Sequence, residues 1–149
     1  MPSADEPLTG QCACGTVRFE VTKPFNTAGY CHCNRCQRRT GALWSENAIV
    51  ASDGFRFTAG EDAVRTWTPE NGLPKSFCGE CGGHVTGGKA GGPIVVVRLG
   101  AVDGDPGIRP EWHTWVSSAP DWEALPDDGL QRFDQGRSRE WRRVSGSRR

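Results

Sequence analysis

Alternating apolar and polar residues mark the clearest strand in the chain. Between residues 16 and 21, Val17, Phe19 and Val21 alternate with polar side chains, which is the period-two pattern of a half-buried strand. Two short helices are predicted, one from Asn34 toward Arg39 and one near residues 121–125. Other apolar runs predict strands at residues 28–31, 44–50, 63–68, 94–99 and 112–116.

Composition points to the same class of fold. The 149 residues include 20 glycines and 10 prolines, which favour frequent turns and interrupt long helices. We expect an all-β fold, a single domain of short antiparallel strands with one or two short helices. The domain is expected to span residues 11–136, between an N-terminal tail at 1–10 and a basic C-terminal tail at 137–149.

The charge balance argues against some classes of partner. Lysine and arginine total 18, as do aspartate and glutamate, so no net charge attracts nucleic acid. The basic tail contains a single aromatic residue, Trp141, so a solvated tail is favoured over a nucleic-acid arm. No apolar run approaches the roughly 20 residues of a membrane span, and the first ten residues lack a signal-peptide pattern. We therefore expect a cytoplasmic protein with neither a nucleic-acid nor a membrane partner; its oligomeric state is unknown.

Seven cysteines form three groups along the chain: Cys12-x-Cys14, Cys31-x-Cys33-x-x-Cys36 and Cys78-x-x-Cys81. In a reducing compartment a disulfide framework is not expected, and the odd number would leave one sulfur unpaired. Zinc binds four thiolates in a structural site, whereas a catalytic site keeps three protein ligands and an open position. Seven cysteines suit one site of each kind.

The residues alone do not decide which cysteines share a metal. A straight strand would place Cys12 and Cys14 on the face opposite Val17, although a bend at Gly15 could turn them. A four-thiolate site could also consist of Cys33, Cys36, Cys78 and Cys81. In that case Cys12, Cys14 and Cys31 would be ordinary thiols or a weaker second site.

Three ordered segments resemble the glutathione-dependent formaldehyde-activating enzyme family, whose fold is a β-rich zinc scaffold. They are CACGTVRFEV, CHCNRCQRRTG and FCGECGGHV, and the later HTWVSSAPDWEALPDDGLQRF is also similar to that family. The resemblance implies two zinc ions per chain. It implies a second, catalytic zinc held by Cys31, Cys33 and Cys36, and a structural zinc held by Cys12, Cys14, Cys78 and Cys81.

The same resemblance implies the chemistry of a carbon–sulfur lyase. The enzyme would join a small, glutathione-like thiol and a formaldehyde-like aldehyde as an S-hydroxymethyl adduct. In the mechanism we hypothesise, the thiol takes the open zinc position, loses its proton and attacks the aldehyde carbon. Such a centre needs nearby positive charge. Arg35, Arg38 and Arg39 are candidates, although a solvated helix face explains each of them equally well.

Other residues are weaker candidates for the site. His32 is expected to point away from its cysteine neighbours and not to be a ligand. His84 could close the second site or act as a general base, but a structural hydrogen bond is favoured. His113 is expected in a wall or the core, and Tyr30 and Trp44 are expected to line a pocket.

Two other classes of function remain open at this point. A non-catalytic binding module would use zinc only for folding, and its metal sites would be closed and insensitive to added thiol. A nucleic-acid module using the basic tail is disfavoured by the neutral chain and would show a steep salt dependence of binding.

Overall fold

The computed structural model describes residues 1–137. Apart from Arg137, the predicted basic tail lies outside the described residues. The strands are β1 (Leu8–Gln11), β2 (Arg18–Val21), β3 (Thr27–Cys31), β4 (Ser45–Ala51), β5 (Phe55–Ala59), β6 (Val64–Trp67), β7 (Lys75–Cys78), β8 (His84–Gly87), β9 (Ile94–Arg98), β10 (Trp112–Thr114) and β11 (Gln131–Arg132). Helix α1 (Asn34–Thr40) lies between β3 and β4.

The strands form two sheets. The smaller sheet has the order β1-β2-β5, and the larger has the order β11-β10-β3-β4-β9-β8-β7-β6. The all-β expectation is confirmed, and most neighbouring strands are antiparallel, as predicted. Strand β10 differs because it runs parallel to both β3 and β11. The chain reaches β10 through a long crossover, which permits parallel pairing where a hairpin would not.

The hydrophobic core joins the two sheets. Phe19 and Val21 of β2 belong to one buried cluster with Val50 of β4 and Val97 of β9. The predicted alternation is confirmed, because Val17, Phe19 and Val21 are at most 1% exposed. Burial of each such side chain contributes about 1.5–3 kcal/mol.

Helix α1 is the short helix predicted from Asn34. Cys33 is its N-cap, and the Cys33 sulfur accepts a hydrogen bond from the Cys36 N–H. Gly41 ends the helix with a positive φ of 66°, a conformation that glycine adopts without steric cost. The caps therefore hold two cysteines at the start of one helix.

The prediction of a second helix near residues 121–125 is wrong. Residues 121–125 form turns and irregular backbone, and Trp122 is 75% exposed. Prolines at positions 120 and 126 keep the segment short, and it has no buried apolar face to stabilise a helix.

The predicted strand at 112–116 also ends early, because Trp115 has a φ of 58° and a 3-10 turn follows. In the described part of the chain, no helix is long and apolar enough to cross a membrane.

Candidate metal centres

Four cysteines from distant parts of the chain converge on one point. All four sulfurs lie within 4.8 Å of one another. The Sγ atom of Cys14 is 3.6 Å from the Sγ atom of Cys12 and 3.9 Å from the Sγ atom of Cys78. Tetrahedral zinc with bonds of about 2.3 Å places its sulfurs about 3.8 Å apart. The donor set and its spacing therefore fit a four-thiolate zinc site, whose members are Cys12, Cys14, Cys78 and Cys81.

A tight turn after β1 places the first two sulfurs. Gly15 has a φ of 77°, and its N–H donates to the Cys12 carbonyl at 3.2 Å. This is the bend that the sequence allowed at Gly15. The Val17 N–H then donates to the Cys12 sulfur at 3.3 Å, which favours its thiolate form.

A second turn, between β7 and β8, places the other two sulfurs. The Gly82 N–H donates to the Cys78 carbonyl at 2.8 Å, and Gly82 has a φ of 74°. The Gly83 N–H donates to the Cys81 sulfur and is the main reason why the pKa of that thiol falls to about 6. Because β1 belongs to the small sheet and β7 and β8 to the large one, this group connects both sheets.

The other three cysteines form a separate group. Cys31 ends β3, Cys33 caps α1 and Cys36 lies in its first turn, so a single short segment supplies all three sulfurs. These sulfurs also lie within 4.8 Å of one another. The structure does not form the alternative group that would combine Cys33 and Cys36 with the turn between β7 and β8.

Hydrogen bonds and cations favour negative charge on the three-sulfur group. The pKa of Cys36 lies far below its usual range because the thiols of Cys31 and Cys33 donate to it, with further help from Ser45 and Arg98. The pKa of Cys31 is raised correspondingly, so the three sulfurs share a thiolate. A group with this charge is a good ligand for a zinc ion.

Three cations surround this group without an acidic partner. Arg98 is 8% exposed and donates to the Asn47 side chain, while Lys75 and Arg39 are half-buried. Among the described residues, none of the three forms a salt bridge. Burial, and then repulsion from Arg98, lower the pKa of Lys75. Lys75 and Arg98 line the same cavity as Cys31 and Cys36. In residues 1–137, no carboxylate neutralises any of the three cations.

Sequence reasoning found only part of this positive charge. Arg39 contributes, whereas Arg38 is exposed on the helix and Arg35 lies beside Gly72. Lys75 and Arg98 were missed because they belong to β7 and β9, far from the cysteines in sequence. Only the strand order of the large sheet brings them to this place.

A buried hydrogen-bond chain supports the segment that carries the three cysteines. His32 Nε2 lies 2.8 Å from His113 Nδ1, and His113 Nε2 lies 2.9 Å from Asp128 Oδ2. Gln37 also donates to the His32 carbonyl at 2.7 Å. His32 is outside the sulfur group and His113 is in the core, as expected. No local signal in the sequence pointed to Asp128 or Gln37.

One cavity lies beside each sulfur group. The cavity of about 400 Å³ is lined by Cys31, Cys36 and Tyr30, and the cavity of about 620 Å³ is lined by Cys12, Trp44 and His84. The pocket positions expected for Tyr30 and Trp44 are confirmed. His84 does not close the second site, because it is not among the residues that form the three-sulfur group. Cys31 and Cys36 are therefore next to space that a small molecule can occupy.

Comparison with known families agrees with this arrangement. The model of the family described as "Glutathione-dependent formaldehyde-activating enzyme" matches residues 7–118. The chain belongs to this family. The match includes all seven cysteines and strands β1 to β10.

Curated relatives carry the same description. A protein of Pyrenophora teres f. teres, named "Putative glutathione-dependent formaldehyde-activating enzyme", is 32% identical over 78 residues, which cover 51% of this chain and 41% of the relative. A protein of the same name from Phaeosphaeria nodorum is 30% identical over 78 residues, with the same coverage. The match thus spans less than half the length of these family members.

A solved structure shares the fold. The crystal structure of a Rhodobacter sphaeroides protein superposes with a TM-score of 0.54 at 20% identity, covering 84% of this chain and 98% of that protein. At this identity the similarity concerns the fold alone. The β-rich architecture of this family member is therefore shared with an experimentally determined structure.

Proposed function

We propose that this protein is a zinc-dependent carbon–sulfur lyase-type enzyme that joins a small thiol and an aldehyde as an S-hydroxymethyl adduct. The observation that carries the proposal is the three-sulfur group, which is separate from the four-sulfur group and lies beside a cavity. A site that served only to stabilise the fold would not need this open side. Glutathione and formaldehyde, which the family description implies, are the proposed reactants.

The two sulfur groups have different roles in this proposal. The group that connects the sheets holds a structural zinc ion, and Cys31, Cys33 and Cys36 hold a second zinc ion with one open position. When bound there, zinc supplies Lewis acidity and a coordination position for the sulfur of the substrate thiol. The proposed domain at residues 11–136 contains both groups, and the reduced cysteines suit a cytoplasmic location.

The reaction is a balanced addition. The thiol sulfur forms a bond to the aldehyde carbon, the carbonyl π bond breaks, and the thiol proton ends on the former carbonyl oxygen. Nothing is oxidised or reduced. The protein's part is to hold the thiol as a thiolate next to the aldehyde, which converts a bimolecular encounter into a reaction between neighbours.

The surrounding cations compensate the charge of the site. A zinc ion with three thiolates carries one net negative charge, and the substrate thiolate would bring this to two. Lys75 and Arg98 line the cavity together with Cys31 and Cys36, so they lie where this charge develops. Without them, a second negative charge in this half-buried place would be unfavourable.

Metal content tests the proposal directly. Elemental analysis of the purified protein should give two zinc ions per chain, and dialysis against millimolar glutathione should exchange or remove only one. Cys31→Ser should retain a single zinc ion that is unaffected by thiol. One tightly held zinc ion in both proteins would contradict the proposal and favour a binding module with structural zinc.

The activity has its own test. Zinc-loaded protein should accelerate the interconversion of the free reactants, glutathione and formaldehyde, and the adduct, relative to the reaction without protein. Proton NMR exchange spectroscopy measures this rate. Cys31→Ser should lose this acceleration, and Cys33→Ser should behave in the same way. An unchanged exchange rate with fully loaded protein would exclude glutathione and formaldehyde as the reactants.

A further inference from the structure

The cavity beside Cys31 and Cys36 has charged side chains of one sign only. Among the described residues that line it, Lys75, Arg98 and Arg137 are cationic and none is an aspartate or a glutamate. The chain as a whole is balanced, with 18 basic and 18 acidic residues, so the positive charge is concentrated locally. Such a cavity attracts an anionic ligand and disfavours a cationic one.

Two of these cations belong to the sulfur end of the cavity. Both Lys75 and Arg98 interact electrostatically with the Cys36 thiolate. With zinc and the substrate thiolate bound, the second centre would carry two net negative charges, which these two cations balance. The charge of Arg137 is not needed for this balance. It is therefore available to a negative charge elsewhere on the ligand.

A tryptophan of the cavity wall holds Arg137 in place. The guanidinium carbon lies 3.9 Å from the centre of the Trp112 ring, which is a stacking distance. Trp112 in turn packs on Gly29, where a Cβ atom would come within 2.2 Å of the indole nitrogen. Gly29 precedes Cys31 by two residues on β3, which is about 7 Å along a strand. The guanidinium is thus positioned for a ligand whose sulfur lies at Cys31.

Stacking leaves the hydrogen-bond donors of Arg137 available. The indole ring covers a face of the guanidinium, whereas the five N–H donors lie in its plane and point outward. Within residues 1–137, no carboxylate forms a salt bridge with Arg137. This planar group matches a carboxylate, which accepts two parallel N–H bonds from it. The wall therefore presents a prepared binding group for a carboxylate.

We propose that Arg137 binds a carboxylate of the substrate thiol and thereby selects anionic peptide thiols, such as glutathione, over neutral ones. The sulfur would lie at Cys31 and Cys36, and the carboxylate would accept hydrogen bonds from the guanidinium on Trp112. The inference rests on the proposed function and deepens it, because it assigns a specificity-determining residue to the same site. Arg137 lies beyond residues 7–118, so the family match does not assign this role.

Thiol binding to the metal-loaded protein tests this directly. Protein loaded with two cobalt(II) ions per chain has a sulfur-to-cobalt charge-transfer band that changes when a further thiolate binds. Titrations would compare glutathione with its diethyl ester, which keeps the thiol and the peptide but has no carboxylate. Glutathione should bind at least about tenfold more tightly, because charge-assisted hydrogen bonds are the strong ones. Equal affinities, or tighter binding of the ester, would overturn the inference.

A variant locates the preference at Arg137. Arg137→Gln should lose about tenfold in glutathione affinity, whereas the ester should bind as tightly as it does to the wild type. Unchanged ester binding also shows that the variant folds and keeps its second metal site. Arg38→Gln is the matched control, because Arg38 is exposed on α1 and does not line the cavity. Equal weakening of both thiols by Arg137→Gln would mean that Arg137 only supports the wall, and the inference would be wrong.

The outcomes separate the two proposals. If both thiols change the spectrum and Arg137→Gln leaves their affinities unchanged, Arg137 does not determine specificity, while the open metal site stands. If neither thiol changes the spectrum of the loaded protein, the proposed function itself fails, and the role of Arg137 fails with it.

Discussion

Arg98 shows how much of the candidate site depends on single residues. It is buried, donates to Asn47, lines both cavities and lowers the pKa of Cys36. Its Nε atom is buried without a hydrogen-bond partner in the described region. A buried cation without a carboxylate is tolerated here because the sulfur group is negatively charged.

Removal of this charge should weaken thiol binding. For Arg98→Gln, we expect the cobalt-loaded protein to bind 2-mercaptoethanol about tenfold more weakly, since the second negative charge is less compensated. Arg38→Gln is the control, because Arg38 is exposed on α1 and lines neither cavity. Equal affinities of the two variants would exclude an electrostatic role for Arg98.

His84 should make the protein less stable in acid. Burial, and then repulsion from Arg39 and Arg98, lower its pKa from 6.5 to about 4. The folded state therefore binds fewer protons than the unfolded state between these values, and the free energy of unfolding falls as pH falls through this window. Above pH 6.5 the contribution is complete. In His84→Gln, the part of the fall in the free energy of unfolding that comes from His84 should disappear. Urea unfolding at several pH values measures this.

Gly29 should be intolerant of any side chain. Gly29→Ala places a methyl group in the Trp112 ring, and the displaced indole should cost about 1–3 kcal/mol of unfolding free energy. Gly100→Ala is the matched control, since a Cβ atom there meets nothing within 4 Å. Urea unfolding should show little change for the control. If Gly29→Ala and Gly100→Ala were equally stable, the position of the Trp112 ring would not depend on its close contact with Gly29.

Among the secondary-structure elements, α1 depends on its connection to the segment after β10. The Gln37 side chain donates to the carbonyl of His32 at 2.7 Å and to the carbonyl of Ser118 at 2.9 Å. These two bonds tie the helix to both the cysteine segment and the 3-10 turn at Val116–Ser118. The helix has only seven residues, so tertiary contacts such as these stabilise it.

Loss of this connection should affect the second metal site selectively. Gln37→Met keeps the length of the side chain but leaves two carbonyls unpaired, so we expect a loss of about 1–3 kcal/mol in stability. Zinc affinity of the three-sulfur site should fall about tenfold, and that of the four-sulfur site should not change. Competition with a chromophoric chelator measures both. Arg38→Met, at the adjacent exposed position, should match the wild type in both respects.

At the scale of the whole molecule, the four-sulfur group connects the two sheets, whereas the three-sulfur group is local to one segment. Metal binding energy contributes to folding where the ligands come together only in the folded state. Cys81→Ser should therefore lower the free energy of unfolding by several kcal/mol, and Cys33→Ser should have a clearly smaller effect. Urea unfolding of the zinc-loaded variants tests this order. Equal losses of unfolding free energy in the two variants would contradict a structural role for the four-sulfur group.

The sequence predicted much of the fold but not all of it. The alternation in β2, the helix at Asn34 and the bend at Gly15 were recognised because each depends on neighbouring residues. The helix at 121–125 was predicted wrongly, because no local pattern showed that its apolar residues would not be buried. Strand β10 pairs in parallel with β3, and such long-range pairing has no local signal.

For the candidate site, the sequence by itself determined the number and spacing of the cysteines, the family, and the bends that aim neighbouring sulfurs in one direction. The family resemblance also implied the division into four and three cysteines, whereas spacing alone left the grouping open until the tertiary structure brought the sulfurs together. Only the tertiary structure aligned Lys75 and Arg98 with Cys36 and placed His113 against His32. The physical reason is range. Spacing along the chain controls geometry over a few residues, whereas the register of distant strands depends on hydrogen bonding and burial summed over the whole molecule.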